Sequence, residues 1–250
     1  MDKLSFLGIF VAMATILGSQ VAEGVHLDSL MNLPAFLIVL GGSLGAVILE
    51  TPKSTLVRAF KMFFWIVRPP KFDISKLQND IINWNSVLKK EGILGLEKVM
   101  EETTEPFNKR ALQLCVDGHD VNDIQHLLEI EADNEHDRCI NSARIFEALG
   151  GYSPTMGILG AVLGLTHVLR QLNEPAQLGA GIAVAFVATI YGVAFANLFW
   201  LPVASKLKQR SDERLYLRRI VLMGVVSMAE GNGTRALQNK LQSFGGKLLG

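Results

Sequence analysis

The sequence predicts an all-α, polytopic membrane protein with four transmembrane helices and a helical cytoplasmic domain. Three observations carry that prediction. Of the 250 residues, 49% are hydrophobic and 19% charged, with a mean hydropathy of +0.29, which is too apolar for a soluble domain of this size. The apolar residues gather in four runs, at about 4–21, 34–49, 152–169 and 181–204, and about 20 helical residues at 1.5 Å each cross a ~30 Å hydrocarbon core. Between and after the runs, apolar positions recur at helical spacing, without strand-like alternation. The chain divides into a peripheral transmembrane hairpin (1–51), a cytoplasmic helical domain (52–151), a second transmembrane pair (152–205), and a cytoplasmic C-terminal helix and tail (206–250).

Charge placement sets the expected orientation. Of the 24 Lys and Arg residues, thirteen lie between Lys53 and Arg144 and nine between Lys206 and Lys247; Lys3 and Arg170 complete the set. The loops at 23–33 and 171–180 carry none. By the positive-inside rule both termini and the middle segment are cytoplasmic. A secretory signal is the alternative for the first run, with Gln20-Val21-Ala22 near a cleavage site. Its single Lys3 is offset by Asp2, and the run exceeds a usual signal core, which favours a span. Cys115 and Cys139 fall in the cytoplasmic segment and are expected as reduced thiols. Zero net charge and the lack of a basic stripe predict no nucleic-acid partner.

In chain order, the first span is apolar all round except for Ser5, Thr15 and Ser19, and the second repeats small residues at Gly41, Gly42, Ser43 and Gly45. Both suit packing on the outside of another bundle. Glu50 marks the end of the second span, where a carboxylate costs little; His26 and Asp28 read as part of a solvated loop. The segment RAFKMFFWIVRPPK is aromatic and basic, as at a membrane surface, and Pro69-Pro70 stops it. Asp73 or Ser75 then caps a helix carrying Leu77, Ile81, Trp84 and Leu88, and Gly92 separates it from ILGLEKVMEET. Further helices break at Asp117-Gly118. The one from Glu135 to Leu149 runs straight into the third span, and a long helix leaves the fourth.

The third and fourth spans organise the rest. They are rich in small residues, Gly157, Gly160 and Gly164 on one and Gly181, Ala185, Ala188 and Gly192 on the other, with no Asp or Glu in either apolar body. In lipid, burial of apolar surface gives helices no reason to associate, so small faces that let backbones approach are the mark of packing helices. Pro154 and Pro202 stand near the two ends of the pair and Thr189 lies mid-membrane. Thr189 either satisfies its hydroxyl on a carbonyl one turn back or lines a pore facing the small Ala161. His167, a turn from the outer end, is either a proton relay or a neutral interfacial imidazole. Cys115, His119, His126, His136 and Cys139 match no compact zinc pattern, so no metal and no cofactor are expected. No nucleophile with a base and no acid pair supports enzymatic chemistry. A membrane ion path normally needs a carboxylate; if these helices line one, another chain supplies it.

The motifs CVDGHD at Cys115–Asp120, YSPTMGILGAVLGL in the third span and IAVAFVATIYGVAFANLFWLPVASKL in the fourth resemble the flagellar stator subunit family MotA/PomA, within the MotA/TolQ/ExbB proton-channel group. The likeness runs nearly end to end and is strongest to the MotC and PomA branch. It implies an ion-conducting subunit of the inner membrane that turns ion flow into torque. Five copies would surround two single-span MotB/PomB-type partners, whose Asp carries the ion, with lipid outside and the rotor protein FliG engaged below. Carried over by motif, the third and fourth spans line the pore, Pro154 and Pro202 couple ion passage to movement, and Thr189 faces the partner Asp. Lys89, Lys90 and Glu97 match rotor-facing positions; Lys98 departs from an acid found beside that Glu in the sodium branch, which leaves the sign of one contact open. Proton-driven members have alanine at Ala161 where the sodium-driven branch has threonine, so the resemblance implies transported H+, with Na+ as the alternative. A TolQ/ExbB-like energiser of an envelope protein and a transport-free membrane scaffold are the competing expectations.

Overall fold

The computed structural model describes residues 3–22, 31–67, 73–170 and 175–245, and every regular element among them is helical. In order these are α1 (Lys3–Ala22), α2 (Leu33–Glu50), α3 (Lys53–Val67), α4 (Ile74–Glu102), α5 (Pro106–Val116) and α6 (Val121–Arg170). Next, α7 is continuous through Pro175–Ala194, Phe195–Trp200 and Leu201–Ala229, and α8 spans Thr234–Gly245. Among the described residues, Leu33–Glu50, Val121–Arg170 and Gly181–Ala229 are long and apolar enough to cross a membrane; α1 is a further apolar helix of 20 residues. The four expected runs thus fall inside α1, α2, α6 and α7. The predicted loop residues His26 and Asp28, residues 171–174 of the second predicted loop, and the Pro69-Pro70 stop lie outside the described residues, whereas residues 175–180 of that second loop already form the start of α7.

The chain forms two compact units, one from residues 1–69 and 139–209, the other from 70–138 and 210–250. In the first, α2 starts where Asn32 Oδ1 accepts the Ala35 N–H at 3.0 Å, with Pro34 in the opening turn. The backbone N–H of Asn32 donates to the Tyr191 hydroxyl at 3.2 Å, tying α2 to α7. Ala35 and Val39 of α2 are buried with Val187 and Ala188 of α7. A second cluster gathers Val47 of α2, Ala59 and Met62 of α3, Phe146 and Leu149 of α6, and Trp200 and Ala204 of α7. Aromatic rings fill it: Phe63 stacks on Phe146 at 5.9 Å and Phe146 on Trp200 at 6.3 Å. At the end of α2, Glu50 accepts a 2.7 Å hydrogen bond from the Tyr152 hydroxyl, consistent with an end-marking carboxylate.

The second unit is built on α4 and α5 with residues of α6, α7 and α8 that fall within it. Asp73 is the cap of α4, accepting from the Lys76 N–H at 2.9 Å. Gly92 breaks α4 at φ 71° and ψ −159°, a backbone region essentially reserved for glycine. Glu105 caps α5, which ends at Asp117 before Gly118 at φ 72°. The core packs Ile81, Leu96, Phe107, Leu112, Leu128 and Ile220, and Arg218 lies 4.9 Å above the Phe107 ring. Helix α8, which sequence reading left inside an undivided C-terminal helix and tail, buries Leu237 and Leu241 here, and Gln78 donates to the Leu241 carbonyl at 2.9 Å.

Neither Cys115 nor Cys139 forms a disulfide. Burial pushes the Cys115 thiol up to about 11 from 9.0. Because the folded state holds the proton more tightly than the unfolded one, this thiol leaves stability unaffected below about pH 9. Above that, ionisation in the unfolded chain draws the protein toward unfolding until the folded thiol also ionises. Maleimide labelling of Cys115 in the native protein is therefore expected to stay slow through pH 8 and to speed up about tenfold per pH unit toward pH 11. Fast labelling at pH 7.5 would show that the thiol is not held in this environment.

Candidate functional site

The α6–α7 pair is assembled through glycines. A Cβ added to Gly192 would lie 2.6 Å from the Ser153 carbonyl oxygen and 3.2 Å from the Gly157 Cα. One added to Gly157 would lie 2.9 Å from the Ala188 carbonyl oxygen and 3.3 Å from the Thr189 Cα, and one on Gly164 3.0 Å from the Ala185 backbone nitrogen. Real Cβ atoms essentially never approach backbone as closely as those on Gly192 and Gly157 would, so glycine is required at these two positions, while at Gly164 the neighbouring backbone would have to give by a few tenths of an ångström. On α2, Gly42 faces the Met156 sulfur, 2.7 Å from its would-be Cβ, whereas Gly41 and Gly45 have open space in this chain. Ser43 and Ser153 are buried where α2 meets α6, their Oγ atoms 3.3 Å apart and each bonded to a carbonyl one turn back.

Thr189 lies on the exposed side of α7, and its hydroxyl donates to the Ala185 carbonyl at 3.4 Å. That back-bond spends the only proton and leaves the oxygen's lone pairs to accept from a ligand. The self-satisfied reading and the pore-lining reading are therefore compatible. Ala161 is half-buried and follows Gly157 by one turn, on the side of α6 whose glycine abuts the Thr189 backbone. His167 is exposed near the end of α6.

Both prolines sit inside continuous helices. Pro154 removes the N–H that would have reached the Gly150 carbonyl. Gly150 in turn packs on Leu201: its added Cβ would meet Leu201 Cδ2 at 2.7 Å. Leu201 directly precedes Pro202, so the two proline-bearing turns are neighbours of one contact. Ahead of Pro202, α7 widens at Phe195–Trp200, where the Leu201 N–H reaches back five residues to the Ala196 carbonyl. The Asn197 amide donates to the Val193 carbonyl at 2.9 Å within this wide turn. Sequence reading singled out Pro202 but not Asn197. The signal available was a single amide in an apolar run one turn before a proline. Lys208 and Glu147 pair at 2.6 Å farther along the same two helices.

In the second unit, Lys89 and Lys90 lie on the exposed side of α4 before the Gly92 break and Glu97, also exposed, after it. The break divides α4 so that these charges occupy two differently directed helical segments. Among the described residues no group of His, Cys, Asp and Glu is arranged to hold a metal.

Two family models match the chain: the MotA/TolQ/ExbB proton channel family over residues 99–219 and the motility protein A N-terminal region over residues 6–91. Motility protein A of Bacillus subtilis is 33% identical over 245 residues, spanning 98% of this chain and 91% of that protein. The chemotaxis protein PomA of Vibrio alginolyticus is 29% identical over 253 residues, spanning 98% and 95%. Among solved structures, a chain of C. jejuni MotAB superposes with a TM-score of 0.91 at 27% identity, covering 98% of this chain and 96% of that one. A chain of the flagellar MotAB stator complex from Bacillus subtilis gives 0.84 at 32% identity, covering 96% and 94%. With its glycine-crossed α6–α7 pair inside a fold shared from end to end with these relatives, this chain belongs to the motility protein A family of the MotA/TolQ/ExbB proton channels.

Proposed function

We propose that the chain is the ion-conducting stator subunit of a bacterial flagellar motor, a multi-pass inner-membrane protein that turns proton flow into torque on the rotor. The observation that carries this reading is the end-to-end likeness to chains of MotAB stator complexes, joined to a pair of crossing helices whose apolar bodies contain no carboxylate. An ion path along α6 and α7 then needs an acid from elsewhere, and a MotB-type single-span partner supplies it. Thr189, with lone pairs open, accepts from the protonated partner Asp or from water beside it. Ala161 adds no second hydroxyl, which favours H+ over Na+, since sodium needs oxygens to replace its hydration. Each charge crossing supplies ~2.3 kcal/mol per 100 mV. Pro154 and Pro202, whose turns share the Gly150–Leu201 contact, are where movement of the partner Asp would be passed to both helices.

The finer assembly belongs to the same proposal: five copies around two partner spans, both termini cytoplasmic, residues 52–151 and 206–250 on the cytoplasmic side, and Lys89, Lys90 and Glu97 against FliG. The N-terminal family match over residues 6–91 supports a stator over a TolQ/ExbB-like energiser. Complementation tests this. Stator-deleted cells given this chain with its cognate partner are expected to swim. Normal membrane assembly without swimming, together with restored envelope energisation in a TolQ- or ExbB-deleted strain, would contradict it.

A further inference from the structure

Helix α3 has two unlike faces. Ala59 and Met62 are buried with Phe146, Leu149 and Ala204. The opposite side exposes Val57, Phe60, Phe64 and Val67, which are three or four residues apart and so form one stripe. Phe60 is 68% exposed and Phe64 55%, and their rings meet edge to face at 5.5 Å. The helix carries Lys53, Arg58 and Lys61 and not one acid in its 15 residues. At about 100° per residue, Lys53 stands in line with the stripe and Lys61 beside it.

Three features indicate what covers the stripe. The apolar surface is continuous with a membrane span, because α2 ends at Glu50, α3 begins at Lys53, and Leu49 in the last turn of α2 is 90% exposed. The level is that of a membrane boundary: Phe63 stacks on Phe146 and lies 6.1 Å from Phe199, at the aromatic level where α7 passes from its apolar run toward Lys206 and Lys208. The charge is of one sign, which suits an anionic surface.

We infer that α3 is a docking element for anionic phospholipid of the leaflet it borders, with acyl chains against Phe60 and Phe64 and the headgroup phosphate held by Lys53 and Lys61. Its other face packs on Phe146 and Ala204, so the lipid braces the helices that carry Pro154 and Pro202.

Tryptophan quenching in bilayers tests this. The full-length chain in its native complex is reconstituted into phosphatidylcholine containing equal fractions of either brominated phosphatidylglycerol or brominated phosphatidylcholine. The quenching due to Trp65, half-buried on α3, is the part lost in Trp65→Phe. Brominated phosphatidylglycerol is expected to quench that part at least twofold more, and the Lys53→Gln/Lys61→Gln variant to bring the two lipids level while the complex keeps its size. Equal quenching of the wild type by both lipids overturns the proposal. So does absence of quenching by either, accompanied by disulfide cross-linking between copies carrying Phe64→Cys, which assigns the stripe to a second copy. Should the double variant fail to assemble, high salt applied to the wild type performs the same test: the preference is expected to collapse, and a salt-insensitive preference contradicts the proposal.

Discussion

Replacing Gly192 with valine is expected to abolish accumulation of the folded chain in the membrane. A Cβ at this position would lie 2.6 Å from the Ser153 carbonyl oxygen, 3.1 Å from the Pro154 Cα and 3.2 Å from the Gly157 Cα. All three obstacles are backbone, so no side-chain rotation relieves them, and α6 and α7 must separate along the contact that Gly157 and Gly164 share. Overpacking that flexible side chains can absorb costs about 1–3 kcal/mol, and a collision with fixed backbone belongs at or above the top of that range. Losses of 1–2 kcal/mol already change cellular abundance several-fold. Quantifying the chain in washed membranes is therefore expected to show a drop of an order of magnitude or more. Gly45→Ala, at a position with open space in this chain, is expected to leave the level within about a factor of two. Wild-type levels of Gly192→Val would mean that the helices do not cross here.

Thr189→Val is expected to stop rotation without disturbing assembly. Valine keeps the β-branched shape and removes only the hydroxyl. The lost back-bond to Ala185 is long, at 3.4 Å, and lies on the exposed side of α7, so its contribution to stability is at most about 0.5–1.5 kcal/mol. On the proposed function the functional loss is larger, because an acceptor to the partner's ion-carrying group would disappear where water is scarce. Leaving the protonated Asp, a neutral donor, without its acceptor costs about 1–3 kcal/mol, equivalent to roughly five- to a hundredfold in ion flux. Thr189→Ser, which retains the oxygen, is expected to keep most of the swimming speed. Measured flux and speed of Thr189→Val close to wild type, at equal membrane levels, would remove Thr189 from the path.

The features most legible in the sequence were those with a steric cause written in one residue type. Gly157, Gly164 and Gly192 stood out because helix packing in lipid selects small residues, and the structure places each against backbone. Asp117-Gly118 and Gly92 were readable as breaks because both glycines adopt positive φ. The run from Glu135 into the third span was visible even though Gly150, Gly151 and Pro154 fall within it, and the helix starts earlier, at Val121.

What stayed hidden depends on register and distant pairing. The wide turns at Leu37–Gly41 and Phe195–Trp200 leave no periodic signature, since one extra residue per turn in a uniformly apolar run changes nothing that a pattern can register. The Ser43–Ser153 contact joins residues 110 apart, and the Tyr152–Glu50 bond residues 102 apart. Neither has a local cause. Helix α8 was missed as a separate element because its burial rests on Leu237 and Leu241 alone in a polar, glycine-flanked tail.

The central claim, a proton-driven stator path past Thr189 and Ala161, is tested most directly by ion dependence. Swimming speed of stator-deleted cells carrying this chain and its cognate partner is measured across sodium concentrations at fixed pH, then after adding a protonophore. Speed independent of sodium and abolished by the protonophore is the predicted result. Speed that rises with sodium and survives the protonophore would contradict the proton path.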